Sequence, residues 1–594
     1  MKKAFNQHNK LVDIIESTKN DTYNCPVCKE ILTRNFGISR QYYSHPSGRG
    51  DECELKLKLM VKDGDKEFGE DDLDILNRVY YNKTFDDVNI ELSDYMSEEG
   101  YYLTQEQKDI IFAEEDRIKI AALSGSSKST TLYYYSKQRP FKKILYVVYN
   151  KSMKEEAEKL YSKQKHITVK TQHGFAYGIV GKFYKNKLTF SYGVVDIIKD
   201  LKLDWNKDME LAVKIDAMMK KYMLSDKNEF EEIELFKDED GNTTEQRDLI
   251  IHKCKELWEL KKDYKNNVKV EHDFYLKLFH LSKMDLSNKF DIIMVDECQD
   301  LSKLLLDILK SSNVKGIVIC GDVYQSLYQW RNSTNILPLF EGKEYKLTTS
   351  FRVSQNIANI ANIIIKDIYK IDINMKGFND KQKIVSEIDK KKPYVCLCRT
   401  NAFILGEAIE VISANKNAKL YFESGFSSYN FSVLKDAYWF YKGHKVNNPL
   451  FNKFEDYNKM IKYADRVGDI EIIAINRMIE KYGSLIPDII DRIKNNTTND
   501  TNKANVLFST IHKSKGKSIT LPIYISDDIF DLPTVFRKEY INKGDDIDFK
   551  IEDFYEEANI IYVGITRSNF RICFSEKLKE YLIMRYKFFK NNKI

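Results

Sequence analysis

Two short strings in the chain hold the residue types that phosphate chemistry needs. The first, Leu123-Ser124-Gly125-Ser126-Ser127-Lys128-Ser129-Thr130-Thr131, follows the apolar run 118–122 and leads into a helical pattern. A small-residue turn between a strand and a helix can aim backbone N–H groups and the helix dipole at an anion. Lys128 would then reach the outer phosphates and Ser129 would coordinate magnesium. The match is imperfect, because Leu123 and Ser127 stand where glycine normally gives the backbone its freedom. On its own the turn fits a phosphate cradle and an ordinary strand-to-helix connection equally well. The second string, Asp296-Glu297-Cys298-Gln299-Asp300, ends the apolar run 292–295. Parallel α/β sheets bind ligands at the carboxyl ends of their strands. There Asp296 can hold magnesium through its water shell, and Glu297 can orient or deprotonate an attacking water. One acid ending a strand is commonplace, but this string after a phosphate-binding turn points to nucleotide hydrolysis.

A third cluster is metal chemistry. Cys25-Pro26-Val27-Cys28, His45 and Cys53 supply soft ligands in two close pairs, which one tetrahedral zinc would satisfy. A module too small for its own core gains a staple that way. Unpaired thiols in a flexible tail are the bland alternative, since only the Cys25/Cys28 knuckle is specific. Nearby Arg40, Tyr42, Tyr43 and Arg49 have the chemistry to contact nucleic acid. The other cysteines, Cys254, Cys298, Cys320, Cys396, Cys398 and Cys573, lie in apolar or strand-like contexts where a buried reduced thiol is the default.

These residues need elements to position them. Short apolar runs bounded by polar turns alternate with helical patterns at 118–122, 144–149, 167–169, 292–295 and 316–320, the signature of a parallel sheet covered by helices. A second series runs through 394–398, 506–509, 523–525 and 571–574. The expected fold class is therefore α/β, with two parallel-sheet lobes, helical insertions and a small zinc-binding module in front. The expected boundaries are 1–60 for the zinc module and 61–100 for an acidic linker. The first lobe covers 101–345 with an insertion at about 180–285. The second covers 346–424 and 500–594 with a mostly helical insertion at 425–499. No apolar stretch approaches the roughly 18 residues of a membrane span, and the basic start Met1-Lys2-Lys3 has no apolar run behind it, so a cytoplasmic protein is expected. Lys and Arg total 94 against 89 Asp and Glu, so a nucleic-acid surface must be local rather than global. Abundant Lys, Asn, Ile and Tyr with few Pro suggest a gene of low GC content, as in some bacteria and their viruses.

The acidic string followed by Gly321-Asp322-Val323-Tyr324-Gln325-Ser326-Leu327-Tyr328-Gln329-Trp330-Arg331 resembles superfamily 1 DNA helicases of the UvrD/Rep type. Further matches fall in the family's order. Leu103-Thr104-Gln105-Glu106-Gln107 resembles the adenine-reading segment, with Gln107 in the recognition slot. Tyr149-Asn150-Lys151-Ser152 and Thr171-Gln172-His173-Gly174-Phe175-Ala176-Tyr177 resemble DNA-contacting segments, especially those of the F-box-type branch. Leu347-Thr348-Thr349-Ser350-Phe351-Arg352, Ser509-Thr510-Ile511-His512-Lys513-Ser514-Lys515-Gly516 and 561–567, ending in Thr566-Arg567, complete the set. The resemblance implies two RecA-like lobes. It places ATP on Gln107 and on Ser124, Gly125, Ser126, Ser127, Lys128, Ser129 and Thr130, and magnesium on Ser129 and Asp296. Gln325 would sense the terminal phosphate while Arg352 and Arg567 contact it from the second lobe. Asn150, Lys151, Thr171, His173, Thr510, His512 and Lys515 would contact DNA, with Trp330 stacking on a base. Ser127, Ser350 and Ser518 depart from the family's usual Gly, Asn and ribose-contacting Glu.

The implied activity is an ATP-dependent helicase or translocase moving 3′ to 5′ on single-stranded DNA. It would be monomeric as a motor and would work at DNA junctions with replication, repair or recombination proteins. Its rivals are a translocase that strips proteins with little unwinding, and a scaffold that binds nucleotide without hydrolysing it.

Overall fold

The structure is a computed structural model. It describes residues 90–98, 100, 102–205, 207–234, 244–327, 335–448, 450–467, 470–527, 532–537 and 554–591, with the backbone of five short strands before residue 45. Those strands, β1 (Lys3–Asn6), β2 (Leu11–Asp13), β3 (Tyr23–Asn24), β4 (Ile31–Phe36) and β5 (Gln41–Ser44), form an antiparallel sheet in the order β2-β1-β3-β4-β5. Two compact units divide the chain: Met1–Asn82 with Asp531–Asp545 and Ser575–Ile594, and Lys83–Phe530 with Asp546–Phe574.

The larger unit opens with the hairpin of β6 (Leu92–Met96) and β7 (Tyr102–Thr104). Its first lobe is a six-stranded, all-parallel sheet. The strands are β8 (Arg117–Ala122), β9 (Ile144–Val148), β10 (Ile167–Thr171), β11 (Ile292–Val295), β12 (Gly316–Gly321) and β13 (Lys343–Leu347), in the order β10-β9-β11-β12-β8-β13. A sheet covered on both faces needs strands that are apolar throughout, and β9 and β11 are buried at every residue. Successive side chains of β9 go to opposite layers. Leu145 and Val147 join Leu304 and Leu305 on one face, while Ile144, Tyr146 and Val148 join Leu132 and Tyr135 on the other.

After β14 (Thr349–Ser350) and β15 (Lys376–Gly377), which pair in parallel, the second lobe repeats the plan. Its strands β16 (Lys383–Ile384), β17 (Tyr394–Cys398), β18 (Leu420–Phe422), β19 (Val506–Thr510), β20 (Ile523–Ile525) and β21 (Arg571–Cys573) align in the order β16-β21-β20-β17-β19-β18, again all parallel. Helices Val194–Asp200, Met209–Leu224, Thr244–Lys262 and His272–Leu281 are inserted between β10 and β11. Helices Phe431–Tyr441, Tyr457–Val467, Ile470–Tyr482 and Ile486–Asn495 lie between β18 and β19. The cysteines Cys254, Cys298, Cys320, Cys396, Cys398 and Cys573 are buried thiols outside any disulfide.

Two boundaries differ from the sequence expectation. Lys343–Leu347 is an edge strand of the first sheet, paired along its length with β8, so the first lobe extends through 347. The carboxyl-terminal helix Glu576–Asn591 groups with the smaller unit instead of closing the second lobe. Its aromatic residues explain this, because Phe536 packs edge-on against Tyr581 at 5.8 Å and Phe588 at 5.7 Å.

Candidate functional site

β8 ends at Ala122, and the chain turns through Ser124–Ser127 before the helix Lys128–Lys137 begins. Gly125 has φ +75°, and a Cβ there would lie 2.5 Å from Ser350 Oγ and 2.7 Å from Arg352 Cβ, so only glycine lets the second lobe approach this turn. Ser127, the helix N-cap, is also left-handed at φ 59° and ψ 42°. The position that usually carries glycine thus keeps the backbone glycine prefers, and serine bears the strain. Ser126 Oγ is buried with no partner, Ser129 is exposed and Thr130 half-buried. A buried unpaired hydroxyl in a turn that tolerates no extra Cβ fits a cradle whose remaining hydrogen-bond partner is a phosphate oxygen.

Lys128 Nζ lies 3.1 Å from Glu297 Oε1. Burial pulls the Lys128 ammonium down, but Glu297, Asp296 and Asp322 outweigh it and hold the group above its ordinary value. Burial pushes Glu297 up; Lys128, Lys515 and the Gln299 amide overcome this and bring it down to about 2. Burial, then the adjacent Glu297 charge, raises Asp296 despite the Tyr146 hydroxyl, which donates to it at 2.7 Å. The neighbouring acids are therefore pushed apart, with Glu297 the committed anion. Glu297 also has a left-handed backbone, φ 53°, a strain of the kind found at functional sites.

The second lobe supplies two guanidinium groups. Arg567 Nη2 donates to Ser124 Oγ at 2.9 Å and to Gln325 Oε1 at 3.3 Å, and Arg352 Nη1 donates to the same Ser124 Oγ at 3.2 Å. Arg567 is wholly buried, and burial, then the Arg352 charge, lowers it to about 9. Arg352 Nε is held by Ser518 Oγ at 2.8 Å. Gln325 Nε2 donates to Asp322 Oδ2 at 2.8 Å. Lys128, Glu297, Gln325, Arg352 and Arg567 therefore converge on one turn.

The remaining expected residues divide. Gln107 is buried beside the turn, but its amide is already engaged: Oε1 accepts from Thr104 N–H at 3.1 Å and Nε2 donates to Thr131 Oγ1 at 3.2 Å. Asn150, Thr171 and Thr510 each follow or end a strand and cap the next helix, accepting from the N–H groups of Met153, Gly174 and Lys513. Their side chains are committed, while Lys151 stays exposed. His173 is held by Asp273 at 2.9 Å. His512 is half-buried, and burial, then Arg399, lowers it to about 4, so it is a neutral ring. Lys515, expected at DNA, has partners on the first lobe. It lies between the lobes, bonded to Asp300 Oδ2 and the Gln325 carbonyl, because a buried carboxylate on the first lobe requires a cation there. Trp330 and the zinc ligands Cys25, Cys28, His45 and Cys53 lie outside the described residues.

Sequence reasoning missed three contributors. Gln299, fully buried, donates to Glu297 and accepts the Asp322 N–H at 3.0 Å, tying the acidic string to the Gln325 segment. Tyr562 bridges Ser124 N–H and Asp322. It precedes Arg567 by little more than a helical turn, and that spacing was the available signal. Phe351 lines an open pocket with Ser127, Arg352, Ser518 and Phe570, giving an aromatic face beside the turn.

Two parallel-sheet lobes, a phosphate-type turn on one and guanidinium groups from the other define a two-lobed, RecA-like α/β fold. The UvrD/REP helicase N-terminal domain matches residues 103–346. The chain is 27% identical over 514 residues to F-box DNA helicase 1 of Gallus gallus, covering 81% of this chain and 50% of the relative. It is 23% identical over 524 residues to F-box DNA helicase protein 1 of Schizosaccharomyces pombe, covering 80% and 58%. It is 38% identical over 87 residues to ATP-dependent DNA helicase PcrA of Staphylococcus epidermidis, covering 13% of this chain and 12% of the relative. The chain is thus similar to UvrD/Rep-type superfamily 1 helicases, most extensively to the curated F-box relatives, of whose length it spans about half.

Proposed function

We propose that this chain is an ATP- and magnesium-dependent motor that moves along single-stranded DNA and separates strands. The observation carrying this reading is that Arg352 and Arg567, both on the second lobe, reach the Ser124 hydroxyl beside Lys128 on the first. The residues fit a magnesium nucleotide. Lys128 and the N–H groups of residues 124–129 would hold its phosphates, and Ser129 and Asp296 its metal. Bound there, the nucleotide supplies the scissile phosphoanhydride. Glu297, ionised at neutral pH, would orient the attacking water or take its proton. The arginines stabilise charge on the transferring group, which is worth about 10³ to 10⁵ in rate, so turnover depends on lobe geometry. Asn150 and Thr171 begin helices at the carboxyl edge of the first sheet, where backbone N–H groups suit DNA phosphates.

Magnesium-dependent ATP hydrolysis with and without single-stranded DNA tests the reading. DNA should stimulate turnover, and Lys128→Ala and Glu297→Gln should abolish it; nucleotide binding without turnover would leave only a scaffold. Tailed duplexes of opposite polarity test 3′ to 5′ movement, and displacement of a DNA-bound protein tests the stripping alternative. Monomeric action, DNA junctions as substrate, replication or recombination partners and a cytoplasmic location complete the proposal. Among the described residues no helix is long and apolar enough to cross a membrane.

The proposal includes one structural zinc on Cys25, Cys28, His45 and Cys53. Its support is strand register: Asn24 pairs with Ile31 and Ser44 with Thr33, so the strands that Cys25 and His45 directly follow end at the same side of the sheet. About one equivalent of zinc per chain, lost in a Cys25→Ser, Cys28→Ser variant, is expected by metal analysis.

A further inference from the structure

The helical insertion leaves the first sheet just after Thr171 and His173, and it opens with an aromatic surface the nucleotide site does not use. Leu188 bridges Val270 in parallel, with Thr189 N–H donating to the Val270 carbonyl at 3.0 Å. Carried two residues onward, that register sets Phe190 beside His272, and their ring centroids lie 4.9 Å apart at 36°. The His272 ring meets Tyr275 edge-on at 5.6 Å and His173 at 6.4 Å. The aromatic surface is therefore continuous with the His173 segment. Phe190 is 95% exposed and covers no core. Phe183 is also exposed, with the Lys182 ammonium 5.2 Å from its ring centroid. Lys182, Lys185 and Lys269 are exposed on the same stretches of chain. Of the nearby acids, Glu271 pairs with Lys261, Asp273 lies 2.9 Å from the His173 ring, and the Asp263 carboxylate accepts the Lys265 N–H. The surface thus combines a projecting ring with exposed ammonium groups on the same stretches of chain.

We propose that Phe190, backed by His272, is a base-stacking platform for single-stranded DNA at the entrance of the helical insertion. The proposal rests on the motor reading above and adds a contact outside its motifs. An exposed flat ring on the same stretch of chain as exposed ammonium groups matches an unpaired strand, whose bases offer π-faces and whose phosphates seek cations. Stacking of this kind is tolerant of sequence, as a motor requires.

The test compares Phe190→Ala, Phe190→Trp and a control, Phe141→Ala. Phe141 is 97% exposed but lies in the loop entering β9, at the amino-terminal ends of the strands, whereas His173 follows the carboxyl end of β10. Phe190 is so exposed that neither replacement disturbs packing. Binding is read by anisotropy of labelled oligothymidylate, and stacking by the added tryptophan's fluorescence. Phe190→Ala should weaken binding about tenfold. Phe190→Trp and Phe141→Ala should bind like the parent chain, and the new tryptophan should be quenched by the oligonucleotide beyond any change in the parent. Parent-like binding by Phe190→Ala, or an introduced tryptophan that stays unquenched at saturation, overturns the platform while leaving the motor reading intact. No binding by the parent chain overturns both.

Discussion

Tyr562 donates its hydroxyl to Asp322 Oδ2 at 3.0 Å and accepts the N–H of Ser124 at 2.9 Å, so one buried phenol from the second lobe joins two segments of the first. Asp322 in turn holds Gln325, and Tyr562 sits on the helix Tyr555–Ile565 that leads to Arg567. Removing the hydroxyl leaves a buried carboxylate short of a donor, a loss of about 1–3 kcal/mol. Tyr562→Phe should therefore lower kcat about tenfold to a hundredfold and change KM for ATP much less, because the phenol touches the positioning groups and not the phosphates. Steady-state kinetics decide it, and an unchanged kcat would remove Tyr562 from the mechanism.

Arg352 and Arg567 share the Ser124 hydroxyl, but their supports differ. Arg567 is fixed by the Val563 carbonyl at 3.0 Å within its own helical segment, whereas Arg352 Nε depends on Ser518. Arg567→Ala should reduce single-turnover hydrolysis about 10³-fold while fluorescent-nucleotide binding changes far less. Ser518→Ala should give a smaller loss of about tenfold or less, and in an Arg352→Ala background it should add nothing further. Additive losses in the double variant would show that Ser518 acts independently of Arg352.

Ser127 carries the cost of a left-handed backbone at the start of the phosphate-turn helix. Ser127→Gly relieves that strain but gives the unfolded chain more freedom, and the balance should favour stability by about 1 kcal/mol or less. Urea denaturation measures it. Turnover should be no lower than in the parent chain, since Ser127 makes no capping hydrogen bond to lose.

The motifs were legible because phosphate chemistry imposes local strings: a turn ending in Lys128, acids ending β11, arginines after short apolar runs. The two sheets were legible for the same reason, since β9 and β11 must be apolar throughout when both faces are covered. What escaped was set by tertiary contacts. Gln299 lay in view within the acidic string, yet its link to Asp322 exists only because β11 and β12 are neighbours. The tie of Lys515 to the first lobe likewise exists only because Asp300, distant in sequence, is buried opposite it. The grouping of residues 575–594 with the smaller unit depends on aromatic packing against Phe536, which no periodicity announces.

That Asp300–Lys515 pair has a pH signature. Burial pushes Asp300 up to about 6; Lys515 opposes the shift, and the Glu297 charge adds to it. A carboxyl group whose folded value exceeds its unfolded value of about 4 binds its proton more tightly in the native state. Its contribution to stability is fully present below about 4, declines as pH rises, and levels off above about 6. Asp300→Asn removes this proton linkage. Between about pH 4 and 6 the midpoint of thermal unfolding should therefore rise with pH more steeply in the variant than in the parent chain. The same window should reveal a weakened interlobe tie in the parent, because protonated Asp300 no longer offers Lys515 a full counter-charge while Glu297, held to about 2, stays ionised. Parallel unfolding profiles for the two proteins across that range would contradict the linkage.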